Sequence, residues 1–292
     1  GLVMDWTAGA ASAVAESLLS GTTYYFSVLV KDEAGNMTLY EPVSQKTAAA
    51  DYPRITNLSN GNLLLVYRDA DDGGIGKSVV YDETGQYVAG PTTVVPDGIG
   101  VGYATTLGLI THDTGVPVMS YTLATGTTGY FAVLDNDGEV AVGPVQYLNE
   151  VAIFTGALAG GSGSPLFIGS GRANYPSSGE QGAGYAVYNV NDGSSVKAVT
   201  PFLDGGGHNE IRGMAASAIG TDRFFLLYSR DWSELTPRFV IYNETGTVQV
   251  TDSAFATTKS NTYEIRKLAD NNAFVAYIDL NDTNKGKLAV YQ

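Results

Sequence analysis

The sequence predicts an all-β fold, a β-propeller of four-stranded antiparallel blades, from three observations. First, Tyr81, Leu134, Tyr188 and Tyr242 recur at intervals of roughly 54 residues, a spacing typical of propeller repeats. Each is followed by a turn: DETG (82–85), DNDG (135–138), NVNDG (189–193) and NETG (243–246). Second, Tyr67, Tyr121, Tyr228 and Tyr277 form a parallel column, so each unit holds several short strands between turns. Third, the chain carries 36 Gly and 19 Tyr with only 16% charged residues. Glycine supplies the positive φ of tight turns, and tyrosine suits half-buried strands.

Residues 1–48 stand outside the clean repeat. Within them, Tyr24, Phe26, Val28 and Val30 alternate with polar neighbours, the pattern of a strand with one buried face. TAAAD (47–51) reads as a linker, and Pro53 opens the repeats. The first unit divides into strands a (RITNL), b (NLLLVYRD), c (GKSVVYD) and d (YVAGPTTV). The a–b turns SNGN, HDTGV, GSGSP, GTDR and DNNA are rich in residues that tolerate the left-handed region. The units span about 52–98, 102–148, 149–204, 208–257 and 262–292. A long Gly/Ser-rich b–c loop, GSGRANYPSSGEQGAG, interrupts the third. The fifth reaches KLAVYQ within strand c, so the expectation is a ring left open there, or one completed by 1–48.

Two resemblances follow from particular residues. Leu18, Gly21, Thr22 and Tyr24, with Ser20 where Pro is usual, resemble the L-x-P-G-T-x-Y corner of bacterial fibronectin type III domains. Trp6 is similar to that family's strand-B Trp. The resemblance implies that 1–48 is a partial fibronectin-like β-sandwich segment. A degenerate blade is the alternative, because KDEAG (31–35) precedes YDETG (81–85) at close to the repeat spacing. Pro53, Leu58, Gly61, Tyr67, Asp69, Tyr81, Asp82 and Gly85 resemble the propeller repeats of large secreted bacterial surface proteins and adhesins. Those positions are turns and core, informative about fold rather than activity.

Composition excludes several function classes. With no Cys there are no disulfides, zinc–thiolate sites or thiol nucleophiles. A net charge of −14 argues against nucleic acid, whose phosphates require Lys and Arg. No apolar run is long enough for a bilayer-spanning helix, so no membrane insertion is expected. His112 and His208 lack metal-ligand spacing, and no G-x-S-x-G elbow is present.

In a propeller the a strands line the axis, and b–c loops and d–a connections emerge on one face. Glu150, Glu210 and Glu264 each open a strand a, where unit one has Arg54. Arg212 and Arg266 follow two residues on, on the same strand face as Glu210 and Glu264. Converging carboxylates must bind a cation, pair with Arg or shift their pKa values. The b–c loops RDADDGG, RDWSE and DLNDTNKG place Asp69, Asp71, Asp279 and Asn281 as hard oxygen donors at calcium-like spacing. Trp232, in the second of these loops, is placed either to stack on a sugar ring or to pack over a neighbouring blade.

Together these features and the resemblance imply an extracellular or cell-surface, non-enzymatic binding and scaffold module of adhesin type. Its expected partner is a glycan or a surface protein, and calcium is the only cofactor the loops suggest. Two alternatives stand beside it. One is a propeller glycoside hydrolase using Glu150, Glu210 and Glu264 as acid and base. The other is a filament subunit that self-assembles through its blades.

Overall fold

The computed structural model describes residues 21–27, 29–40, 43–47, 49–101, 107–124, 128–148, 154–159, 165–174, 181–203, 211–220, 222–230, 235–260, 262–268 and 272–291. Every regular element among them is a strand. Blade 1 comprises β5 (Ala50–Asn57), β6 (Leu63–Asp69), β7 (Ile75–Tyr81) and β8 (Tyr87–Val95). Blade 2 comprises β9 (Leu107–Thr111), β10 (Pro117–Thr122), β11 (Gly129–Leu134) and β12 (Val140–Leu148). Blade 3 follows with β13 (Phe154–Ala159), β14 (Leu166–Asn174), β15 (Gln181–Asn189) and β16 (Ser195–Leu203). Blade 4 is β17 (Ile211–Ile219), β18 (Arg223–Arg230), β19 (Pro237–Asn243) and β20 (Val248–Ala254). Blade 5 has three strands, β21 (Tyr263–Lys267), β22 (Ala273–Asp279) and β23 (Lys285–Tyr291). Within each blade, order in sequence is order in space, and the first strands β5, β9, β13, β17 and β21 pack successively on one another. The protein is therefore a five-bladed β-propeller with strand a innermost.

Strand b reads as an unbroken apolar run because both of its faces are covered. In β6, Leu64 and Val66 face blade 2, while Leu65 and Tyr67 face the other way. Tyr67, Tyr121 and Tyr228 are buried, and Tyr277 is half-buried, as the tyrosine column predicts. Blade 1 begins slightly earlier than its hydrophobic pattern indicates. β5 starts at Ala50 and bulges between Asp51 and Arg54, where Tyr52 takes φ +52 and Pro53 has no N–H for the ladder.

Among the described residues, the core falls into four interblade clusters rather than one. Leu64, Val66 and Val80 of blade 1 meet Leu107, Met119, Tyr121 and Leu134 of blade 2. Val118, Phe131 and Val133 of blade 2 meet Leu158, Phe167 and Tyr188 of blade 3. Ile168, Tyr185 and Val187 of blade 3 meet Phe224, Leu226 and Tyr242 of blade 4. Phe225, Leu227 and Phe239 of blade 4 meet Ile265, Ala273 and Val275 of blade 5. No comparable packing joins β21 to β5 among the described residues.

Ahead of blade 1, β1 (Thr23–Phe26), β2 (Leu29–Lys31), β3 (Met37–Leu39) and β4 (Val43–Lys46) form one antiparallel hairpin. β1 pairs with β4 and β2 with β3. The described residues of 21–47 do not form a two-sheet sandwich. Trp6, Leu18 and Ser20 lie outside the described residues.

Candidate functional site

The candidate site is the rim where b–c loops and d–a connections emerge. Its framework is set by backbone hydrogen bonds that thread the described connections between blades 1 and 2 and between blades 4 and 5. Between blades 1 and 2, Ile99 N–H donates to Gly74 O (2.8 Å) and Ala124 N–H to Gly98 O (3.1 Å). Between blades 4 and 5, Ser260 N–H donates to Leu235 O (2.8 Å) and Leu280 N–H to Lys259 O (2.8 Å). The linker enters blade 1 the same way, with Ala70 N–H donating to Ala49 O (2.9 Å).

Arg68, at the upper part of β6, clamps this framework. Its Nη1 lies 2.9 Å from Asp51 Oδ2, and its Nε donates to Ile99 O at 3.0 Å. Gly74 leaves room for the guanidinium, since a Cβ there would sit 2.6 Å from Nη2. One side chain thus ties the linker, the blade 1 sheet and the connection to blade 2.

The Asp-rich loops of blades 1 and 5 share one internal device. Asp69 is buried, accepts the Asp71 N–H (3.2 Å) and is held by Lys77 Nζ at 2.8 Å. Lys77 also reaches Asp72 at 3.0 Å. In blade 5, buried Asp279 accepts the Asn281 N–H (2.9 Å), and Lys287 Nζ stands 3.9 Å from it and 3.0 Å from Asp282. Each lysine is the cross-strand partner of a column tyrosine, Tyr67 or Tyr277. Burial pushes the Asp69 carboxyl up. The Lys77 hydrogen bond and charge, with the N–H groups of Asp71 and Asp72, outweigh it and leave the pKa below the usual carboxylate value. Lys77 is raised by its hydrogen bonds to Asp69 and Asp72. An ammonium therefore sits where a bound cation would. Among the described residues, no three His, Asp or Glu side chains converge as metal ligands.

Blade 4 fills the same register position with Arg238, the cross-strand partner of Tyr228. Asp252 accepts from both the Tyr228 hydroxyl and Arg238 Nε, each at 2.5 Å. Sequence reasoning missed Lys77, Lys287 and Arg238. The signal available was the common spacing from Asp69 to Lys77 and from Asp279 to Lys287.

At the mouth itself, Glu264 and Arg266 pair at 2.5 Å, both largely exposed, as expected for same-face neighbours two apart on a strand. Arg54 is half-buried and donates to Pro53 O at 3.0 Å. Arg212 lies on β17, its side chain outside what the structure describes, and Glu150, Glu210 and Trp232 lie outside the described residues. The described rim thus combines one exposed pair, Glu264–Arg266, with charged groups such as Arg68, Lys77 and Asp69 that are largely shielded from water. Such groups exchange hydrogen bonds with a hydroxyl-rich ligand.

No protein-family model matches this chain, and no curated protein matches it. Among solved structures, it is similar to a protein of unknown function from Dyadobacter fermentans (TM-score 0.55, 13% identity, covering 83% of this chain and 79% of that one). It is also similar to the six-bladed Aleuria aurantia lectin, a fungal fucose-recognising propeller (TM-score 0.51, 9% identity, covering 91% and 86%). An ulvan lyase of a polysaccharide lyase family matches with TM-score 0.47 and 11% identity, covering 85% and 70%. An endo-arabinase from Bacteroides thetaiotaomicron is in the same range. The likeness to the lectin agrees with the propeller fold that the strand order shows.

These likenesses also correct the expectation that the protein is not an enzyme. Solved structures similar to it, at 8–13% identity, carry the names of a polysaccharide lyase, an endo-arabinase and an exo-β-1,3-galactanase as well as a lectin, so neither an enzyme nor a simple binding protein is singled out. At such low identity the fold accommodates turnover and simple binding alike.

Proposed function

We propose that this propeller recognises carbohydrate at the rim formed by its b–c loops and d–a connections, and that it does so outside the cell. The observation that carries the reading is the exposed Glu264–Arg266 pair on the inner strand of blade 5, with Arg54 on the inner strand of blade 1. An arginine paired to a carboxylate through one nitrogen keeps further N–H donors for paired sugar hydroxyls. The likeness to a fucose-recognising lectin and to polysaccharide-active propellers supports the same substrate class. The acidic surface favours neutral glycans over polyanionic ones.

The test is a glycan array with the whole chain, followed by calorimetry on the best binders. In parallel, a polysaccharide panel is assayed for new reducing ends and for unsaturated uronate absorbance. Arg266→Ala and Arg54→Ala should each weaken binding by about tenfold, the loss of roughly one charged hydrogen bond. Absence of binding to every neutral glycan and polysaccharide, or unchanged affinity in both variants, overturns the reading.

A further inference from the structure

The c–d turns of blades 1, 2 and 4 are built alike, and so is the turn of the N-terminal hairpin, whereas that of blade 3 is one residue longer. In DETG, Asp82 N–H donates to Gln86 O, Gly85 N–H to Asp82 O and Gln86 N–H to Asp82 Oδ1, at 2.8, 3.0 and 2.8 Å. Residues 32–36 repeat this set: Asp32 N–H to Asn36 O, Gly35 N–H to Asp32 O and Asn36 N–H to Asp32 Oδ1, at 3.0, 3.0 and 2.8 Å. Gly35 takes φ +88, beside +82 at Gly85 and +79 at Gly138. The exit from the hairpin matches as well. The carbonyl that receives the next b–c loop's N–H lies three residues beyond β4 (Lys46 to Ala49), as it lies three beyond β8 (Val95 to Gly98).

In the blade packing these turns have a definite task. Gly138 of blade 2 presses on strand c of blade 1, where a Cβ would come within 2.9 Å of Ser78 Oγ, and Ser78 Oγ donates to Gly138 O. Gly193 presses likewise on Val145 and Val142 of blade 2, and Gly246 on Lys197 and Tyr185 of blade 3. Among the described residues, blade 5 has no such cover. Leu288 and Val290 of β23 correspond by register to Ser78 and Val80, which are fully buried, yet they are 70% and 52% exposed. Across the gap, Ile55 of blade 1 is 62% exposed, and a Cβ on Gly85 would meet nothing within 4 Å.

From these correspondences we infer that residues 21–47 are the outer c–d hairpin of a propeller blade. Their docking surface is the bare flank of blade 5, with the 32–36 turn seated on Leu288 and Val290. The hairpin carries apolar surface to bury there, since Met37, Leu39 and Tyr40 are exposed. The occupant is a segment of this same chain, and its seat continues the interblade interface found four times in the ring. A six-bladed outline is in keeping with the fold's likeness to the six-bladed lectin.

Because the chain has no Cys, cysteine pairs report this contact without background. The Ala34→Cys/Leu288→Cys variant is treated with a short bis-maleimide at high dilution. Asp137→Cys/Ser78→Cys, the same positions at the blade 1–2 interface, calibrates the reagent. An intramolecular cross-link in the first pair is the expected result. No link there while the calibration pair reacts overturns the inference. So does efficient linking of Ile55→Cys/Leu288→Cys, which would mean that blade 1 closes the ring, or a covalent dimer of Leu288→Cys alone. Hydrogen exchange keeps the inference testable if a cysteine variant misfolds. Leu288→Glu should speed exchange of the amides in 29–39 at least tenfold, and unchanged rates there overturn the assignment equally.

Discussion

Lys267, at the end of the inner strand of blade 5, is ion-paired with Asp113 in the a–b turn of blade 2, 154 positions earlier in the chain. The two blades are not neighbours in sequence, so the pair crosses the mouth opposite the candidate site. Asp113 is well exposed and Lys267 partly so, which limits what the pair contributes. Lys267→Ala should lower stability by about 0.5 kcal/mol at low salt. The difference should vanish by 1 M salt, where screening removes surface electrostatics. Thermal melts at both salt concentrations check it, and a salt-independent loss would mean that packing rather than charge joins the blades there.

The Lys77–Asp69 pair makes a pH-dependent prediction. Asp69 has a lowered pKa, so its contribution is present above the ordinary carboxylate range and is lost as pH falls through the folded value. Lys77 has a raised pKa, so its contribution is present below its ordinary value and is lost as pH rises past the folded one. Lys77→Met leaves a buried carboxylate with only backbone donors and should cost about 1–3 kcal/mol at pH 7. Without its ammonium, Asp69 should protonate at higher pH, so the variant's deficit should shrink on acidification below about pH 5. Denaturant titrations from pH 3 to 8 measure this, and a pH-independent deficit would contradict it.

The same pair predicts the response to calcium. With an ammonium seated on Asp69 and another near Asp279, millimolar calcium or a chelator should leave the melting temperature of the native chain unchanged. A rise of several degrees with calcium would show that the loops exchange lysine for metal.

Two glycines separate packing from backbone strain. Gly85 and Gly138 both have positive φ, so an alanine at either costs about 1 kcal/mol of backbone strain. Only Gly138 is pressed against a neighbouring blade, with Ser78 Oγ, Leu64 and Val80 around it. Gly138→Ala should therefore destabilise by about 1–3 kcal/mol more than Gly85→Ala, the usual range for overpacking. Equal losses would imply that Gly85 is as tightly covered as its counterpart.

In blade 4, Tyr228 is fully buried and donates to Asp252, which also takes Arg238 Nε. Tyr228→Phe keeps the ring packing and removes one donor, so it should cost about 1–2 kcal/mol. A neutral result in urea titration would show that Arg238 alone satisfies the carboxylate.

The sequence by itself determined the blades. Strand alternation and turn chemistry are local, so the tyrosine columns and the Asp/Asn-x-x-Gly turns placed the strands of all five units near their observed positions. Glu264 and Arg266 were legible as same-face neighbours for the same reason, being two residues apart on one strand. Lys77 on Asp69 was not read, although both residues were in view, because their meeting depends on the register of β6 against β7 rather than on nearness in sequence. The N-terminal hairpin shows the same division. Its composition resembles a fibronectin corner, whereas its turn geometry and its exit at Ala49 repeat those of the blades. Only the tertiary structure decided which apolar faces find a partner. Leu288 and Ser78 occupy equivalent places in their strands, but one is bare and the other buried. Burial belongs to the neighbouring blade, and no periodicity within a strand encodes whether that neighbour is present.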